Sequence, residues 1–151
     1  MMTILAIGKR HDRTLEAAVE RYQVRLKKPY SAKWILLPHS LRSGAQAVQE
    51  ESEQLMKHLS DRDFVVLLDE RGIILDSSSL SINLEEALAT GRHVVFIIGG
   101  AYGLNEALRV RANLVWSLSR LVFPHQLVRL MLIEQVYRAQ TIARGEPYHH
   151  E

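Results

Sequence analysis

Cysteine is absent from this chain of 151 residues. That excludes a disulfide framework and any zinc site built on thiolates. Long apolar runs are missing too. The opening MMTILAIGKR returns to charge after a few residues, without the extended apolar centre and small-residue cleavage pattern of a secretion signal. No uncharged stretch approaches the length that a membrane span needs, and the expectation is a soluble, cytoplasmic protein. Charge of one sign is scarce as well. A net charge of +2 and a pI near 9.0 are mildly basic, too little to define a nucleic-acid binder without a local cluster. Nucleophile-elbow, P-loop and H-E-x-x-H motifs do not occur. The histidines at 11, 39, 58, 93 and 125 are scattered along the chain, and no metal site is expected. Neither an internal repeat nor a linker interrupts it.

What is present alternates. Residues 2–8 form a short apolar strand ending in glycine. A helix capped by Asp12 or Thr14 runs to about Lys27, with Leu15, Ala18, Val19, Tyr22 and Leu26 near helical spacing and Pro29 as its stop. Residues 33–37 read as a strand and 45–59 as a helix, whose Glu50, Glu51 and Glu53 read as a solvent face. FVVLL at 64–68 is a buried-type strand, followed by a turn at 69–72 and a brief extended piece at 73–75. A short helix then starts at 77–79, with Ser79 or Ser81 as cap and Gly91 as its terminator. Asn105 caps a compact helix through Arg111, with Arg109 and Arg111 exposed. Strands alternating with helices predict an α/β layered fold with a parallel-type sheet, in one domain spanning residues 1–151.

The organising stretch is VVFIIGGAYGL at 94–104. Its β-branched run suits a strand covered on both faces. Glycines at the carboxyl end of such a strand permit close approach of a ligand to the backbone. WSLSRLVFPHQL at 116–127 reads as another short strand at 116–118, then a loop at 119–124, then a long helix from His125. That helix, to about Arg144, is apolar over more than one face. The surplus calls for a second buried contact, most simply with another copy of the chain.

The segments IGG at 98–100, LS…PH at 118–125, YRA at 137–139 and PYHH at 147–150 resemble the small SPOUT-class methyltransferase family. The resemblance extends over essentially the full length. It implies a C-terminal trefoil knot, which breaks the rule that chains avoid threading loops. It further implies methylation of N3 of a pseudouridine in bacterial 23S rRNA, with S-adenosylmethionine as cofactor. The implied pocket is Leu68, Gly100, Ser119, Arg120, Leu121, Val122, Phe123 and Pro124, with Ile98 and Leu118 beside the adenine. Gly100 suits it because a side chain there would occupy cofactor space.

Arg138, Tyr148 and His150 are implied to position the substrate, although some relatives carry arginine where this chain has His150. The proton acceptor stays open between His125 and the tail histidines. A homodimer acting on the assembled ribosome is implied, the tail of one subunit completing the site of the other, with neither metal nor membrane as partner. Two other readings remain: a methyltransferase of the same class acting on another RNA such as tRNA, and a non-catalytic ribosome-associated RNA-binding factor.

Overall fold

A computed structural model describes residues 1–150. Strands β1 (Met2–Ile7), β2 (Ala32–Leu37), β3 (Phe64–Ile74), β4 (Val94–Ile98) and β5 (Leu114–Ser117) form one sheet in the order β2-β1-β4-β3-β5. Every pairing is parallel, so each strand needs a crossover. The crossovers are the helices α1 (Arg13–Gln23), α2 (Gly44–Met56), α3 (Ser77–Ala89) and α4 (Glu106–Arg111), and α5 (His125–Ala143) closes the chain. The α/β parallel-sheet expectation holds.

Alternation along the strands feeds two cores. Ile4, Ala6, Val66, Phe96 and Ile98 face one side, where Val19 of α1, Leu80 and Leu84 of α3, and Leu132, Ile133 and Val136 of α5 pack. Leu5, Ile7, Val65, Leu67 and Ile97 face the other, against Leu55 of α2 and Leu108 of α4. The central strands β1 and β4 are buried at every position, the expected result of helices on both faces.

Several boundaries differ from the sequence reading, each for a local reason. Helix α1 stops at Gln23 because the Gln140 side chain of α5 takes over the next backbone groups. It accepts from Lys27 N–H at 2.7 Å and donates to Arg25 C=O at 3.1 Å. The cap of α3 is Asp76 rather than Ser79 or Ser81: its carboxylate accepts the Ser79 N–H at 2.7 Å. The turn expected at 69–72 is a register shift inside a continuous β3, between Leu68 and Ile73. Strand β5 begins at Leu114, opposite Val66, and ends at Ser117, whose hydroxyl donates to Ser119 C=O and turns the chain.

Candidate active site

The carboxyl ends of β4, β3 and β5 meet. Leu68 is registered against both Ile98 and Trp116. Beyond them the glycine turn and the loop 118–124 enclose a cleft of about 390 Å³, within the range of small-molecule sites. Leu68, Gly100, Ser119, Leu121, Val122, Phe123 and Pro124 all line it, with His125 at the first turn of α5. Ile98, Leu118 and Val128 give apolar walls, while Asp69, Glu70, Arg71 and Arg109 bring charge of both signs to the rim. An apolar slot beside backbone-rich loops suits an adenine face, and a rim of mixed charge suits a zwitterionic amino-acid end. The residues present therefore fit the cofactor that the sequence implies.

The glycine turn is closed by Gly103 N–H donating to Gly100 C=O at 3.2 Å. Gly103 has a φ of +83°, the left-handed region that suits glycine. Gly100 is constrained differently. A Cβ there would lie 2.7 Å from Glu51 Oε1 and 3.1 Å from Ile7 Cγ2. Its side chain would be driven into the protein behind the turn, which corrects the reading that it would fill cofactor space. The opposite loop is held by Ser119, whose Oγ accepts the Leu121 N–H at 3.0 Å.

Arg120 lies in the same loop, but its guanidinium turns to β3 and donates to the carbonyls of Glu70 and Gly72 at 3.0 and 3.1 Å. Arg109, expected to be exposed, is four-fifths covered and pairs with Asp69 at 2.7 Å. Arg111 is half-buried and donates to Ser60 C=O at 2.7 Å. Arg109 thus fixes the rim beside β3 from α4, while Arg111 ties α4 to the loop before β3.

Arg138 and Tyr148 are brought together away from this cleft, and the histidine beside Arg138 is His149 rather than His150. The Arg138 guanidinium pairs with Glu134 at 2.8 Å, lies 3.1 Å from His149 Nδ1, and sits 4.7 Å over the Tyr148 ring. Tyr148 also stands edge-on to Tyr137 at 4.8 Å. Burial, a hydrogen bond with Tyr22 and the nearby Glu134 push its phenol up. His149 and His150 line a second groove of about 750 Å³, with Ala18, Tyr22, Leu130 and Met131. Trp116 and Leu118 line both cavities. Within one chain, β5 separates the tail from the glycine cleft.

Three buried or clustered groups behind the cleft do not follow from the sequence reading. Glu51 is 4% exposed rather than part of a solvent face. Its Oε2 accepts the Ser40 N–H at 2.9 Å, and its Oε1 is buried without a partner. Arg129, only 1% exposed, donates to the carbonyls of Ile7, Gly8 and Arg10 at 2.9 to 3.0 Å and lies 3.2 Å from His11 Nδ1. His39 and His125, far apart in sequence, face each other at 6.2 Å. Burial pulls the His125 imidazole down from its ordinary value, helped by Arg129 and His39 and opposed by Glu51. Helical spacing carries a signal for Glu51, since Ala47, Glu51 and Leu55 recur every four residues and share the buried face of α2. For Arg129 the signal is a lone charge between apolar neighbours.

Among the described residues no helix is long and apolar enough to cross a membrane, and no group of side chains could hold a metal ion. A family model described as "Predicted SPOUT methyltransferase" matches residues 1–149. The chain is 38% identical to "Ribosomal RNA large subunit methyltransferase H" of Clostridium botulinum (strain Okra / Type B1), over 98% of each chain. The protein of the same name from Thioalkalivibrio sulfidiphilus is also 38% identical, covering 98% of this chain and 97% of its own. That from Caldicellulosiruptor saccharolyticus is 34% identical over 99% of each. With a parallel sheet, a glycine cleft at its carboxyl edge and likeness from end to end, this chain belongs to the SPOUT methyltransferase family.

Proposed function

We propose that this chain methylates N3 of a pseudouridine in 23S rRNA of the large subunit, using S-adenosylmethionine, as a cytoplasmic homodimer acting on the assembled ribosome. The observation that carries the reading is the convergence of Leu68, Gly100 and the loop 118–124 on one cleft. The names of the full-length relatives support ribosomal RNA as substrate. When bound, S-adenosylmethionine supplies a methyl group made electrophilic by a sulfonium charge. The chain's share is to hold adenine between Ile98 and Leu118, to orient the amino-acid end at the charged rim, and to exclude water behind Leu121 and Phe123. Trefoil threading of the last third belongs to this proposal.

The groove beside α1 and α5 supports the dimer. Leu130, Met131 and Tyr22 are half-buried along it, which leaves apolar surface for a second copy. Symmetry would carry each tail toward the partner, where Arg138 could hold phosphate and Tyr148 stack on a base. Nucleoside mass analysis of ribosomal RNA from a deletion strain tests the reaction. Loss of one methylated pseudouridine from 23S rRNA is expected. Intact rRNA with a methyl missing from tRNA would move the substrate, and calorimetry without S-adenosylmethionine binding would remove the enzyme.

A further inference from the structure

Methylation of an imide nitrogen releases a proton, and the cleft must lose it. We infer that His125, backed by the buried carboxylate of Glu51, accepts the proton from the target nitrogen and passes it outward through His39. This rests on the methyl-transfer reading above. Geometry selects these residues. His125 and Gly100 both line the cleft, and Glu51 Oε1 lies directly behind Gly100, 2.7 Å from where its Cβ would be. His39 is exposed and faces His125 at 6.2 Å. Within one chain the tail histidines line the other groove, so His125 is the histidine that each chain brings to its own cleft.

The electrostatics are arranged for the moment of transfer. At rest, burial and the nearby Arg129 hold the imidazole below its ordinary value, which favours the neutral form that can accept a proton. A buried carboxylate oxygen without a donor is costly, and Glu51 Oε1 is one. Proton transfer creates an imidazolium whose charge that oxygen is placed to favour, so the stabilisation is larger after transfer than before. In the step itself the N–H bond breaks and its proton goes to His125. The nitrogen's electron pair forms the bond to carbon, and the donor's carbon–sulfur pair returns to sulfur. The two rings at 6.2 Å are beyond hydrogen-bond reach, so the proton passes to exposed His39 and to solvent by way of water. His125 is the catalytic residue, and Glu51 positions and tunes it. The charged groups facing His125 are His39 after β2, Glu51 on α2, Arg129 on its own helix, and Asp69, Glu70, Arg71 and Arg109 across the cleft.

Two measurements test this. The first is NMR titration of the histidine rings in protein without cofactor. His125 should titrate below the ordinary histidine range, and lower still in Glu51→Gln, whose amide oxygen can keep the Ser40 contact. A His125 titration unmoved by Glu51→Gln overturns the pairing. The second is single-turnover methyl transfer to unmodified ribosomes across pH at saturating S-adenosylmethionine. Wild type should gain rate as His125 loses its proton. His125→Asn should lose that limb, fall by about 10²–10⁴-fold near neutrality, and approach wild type at alkaline pH, where hydroxide removes the proton. A His125→Asn profile parallel to wild type overturns the relay, with methyl transfer itself intact. A wild-type protein that transfers no methyl overturns the underlying reading, and the relay with it.

Discussion

Arg129 and Gly100 show what single residues contribute behind the cleft. The Arg129 guanidinium gathers the carbonyls of Ile7, Gly8 and Arg10, which end β1 and begin the next loop. Gly8 allows this by a φ of +115°, and a Cβ there would lie 2.9 Å from Arg129 Nη2. Arg129→Met keeps the stem but leaves those carbonyls without their donor. We expect a loss of about 3 kcal/mol or more, read as a lower urea midpoint with unchanged slope. Gly100 is hemmed in by Glu51 and Ile7 on the side where a Cβ would point. Gly100→Ala should therefore lose about 1–3 kcal/mol of stability by overpacking, and S-adenosylmethionine affinity should fall as the turn shifts. Thermal unfolding alongside calorimetry separates the two effects. A mutant as stable as wild type but unable to bind cofactor would restore the idea that the side chain fills the cleft.

At the scale of elements, most of the fold was legible because strands and helices carried clean patterns. The run at Val94–Ile98 ends in glycine where the sheet ends, and Asn105 caps α4 through Leu108 N–H at 3.0 Å. Asn105→Ala should cost about 1 kcal/mol, visible in thermal unfolding and as earlier hydrogen exchange in α4. What the pattern could not show depends on distant partners. The early end of α1 is decided by Gln140, more than a hundred residues away, and β3 reads as two pieces because its register shift looks like a turn. Leu68, Gly100 and most of the loop 119–124 were legible as neighbours of one cleft, but Arg120 turns away to β3. Glu51, Arg129 and the meeting of His39 with His125 were not legible, because burial of a charge is settled by tertiary packing. Two caps also predict a pH response. The Thr14 hydroxyl and N–H hold the Asp12 carboxyl below its usual 3.8, and the Ser79 N–H does the same for Asp76. A depressed folded-state value means stabilisation that is present above the unfolded value and lost as pH falls through the folded one. Asp76→Asn, which keeps a capping oxygen, should flatten the stability decline below about pH 4, measured by urea unfolding at successive pH values.

At the scale of the whole molecule, the tail and the glycine cleft stand on opposite sides of β5 in one chain. If one active site needs both, a second subunit must bring them together. The tail is also more than a loose end, because Tyr148 packs on Tyr137 and beneath Arg138. Truncation before Tyr148 should leave cofactor affinity nearly unchanged and remove most methyl transfer. That alone does not say whose tail serves which cleft. Mixing two defective proteins does. One carries Gly100→Val, whose side chain pushes on Glu51 and Ile7 and so displaces the turn that walls its cleft while leaving its tail; the other lacks residues 148–151 but keeps its cleft. Each homodimer has no complete site under either arrangement. After subunit exchange, a tail that acts on its partner's cleft gives every heterodimer one whole site, since the good tail and the good cleft lie on different chains. A tail that acts on its own cleft gives none. Random exchange in a two-fold dimer should then restore about a quarter of wild-type transfer, followed as labelled methyl incorporated into ribosomes lacking the modification. Light scattering on the same mixture must show dimers throughout. Dimers that exchange freely yet stay inactive would place the tail in the cleft of its own chain, and its position along α5 would then have to change on binding RNA.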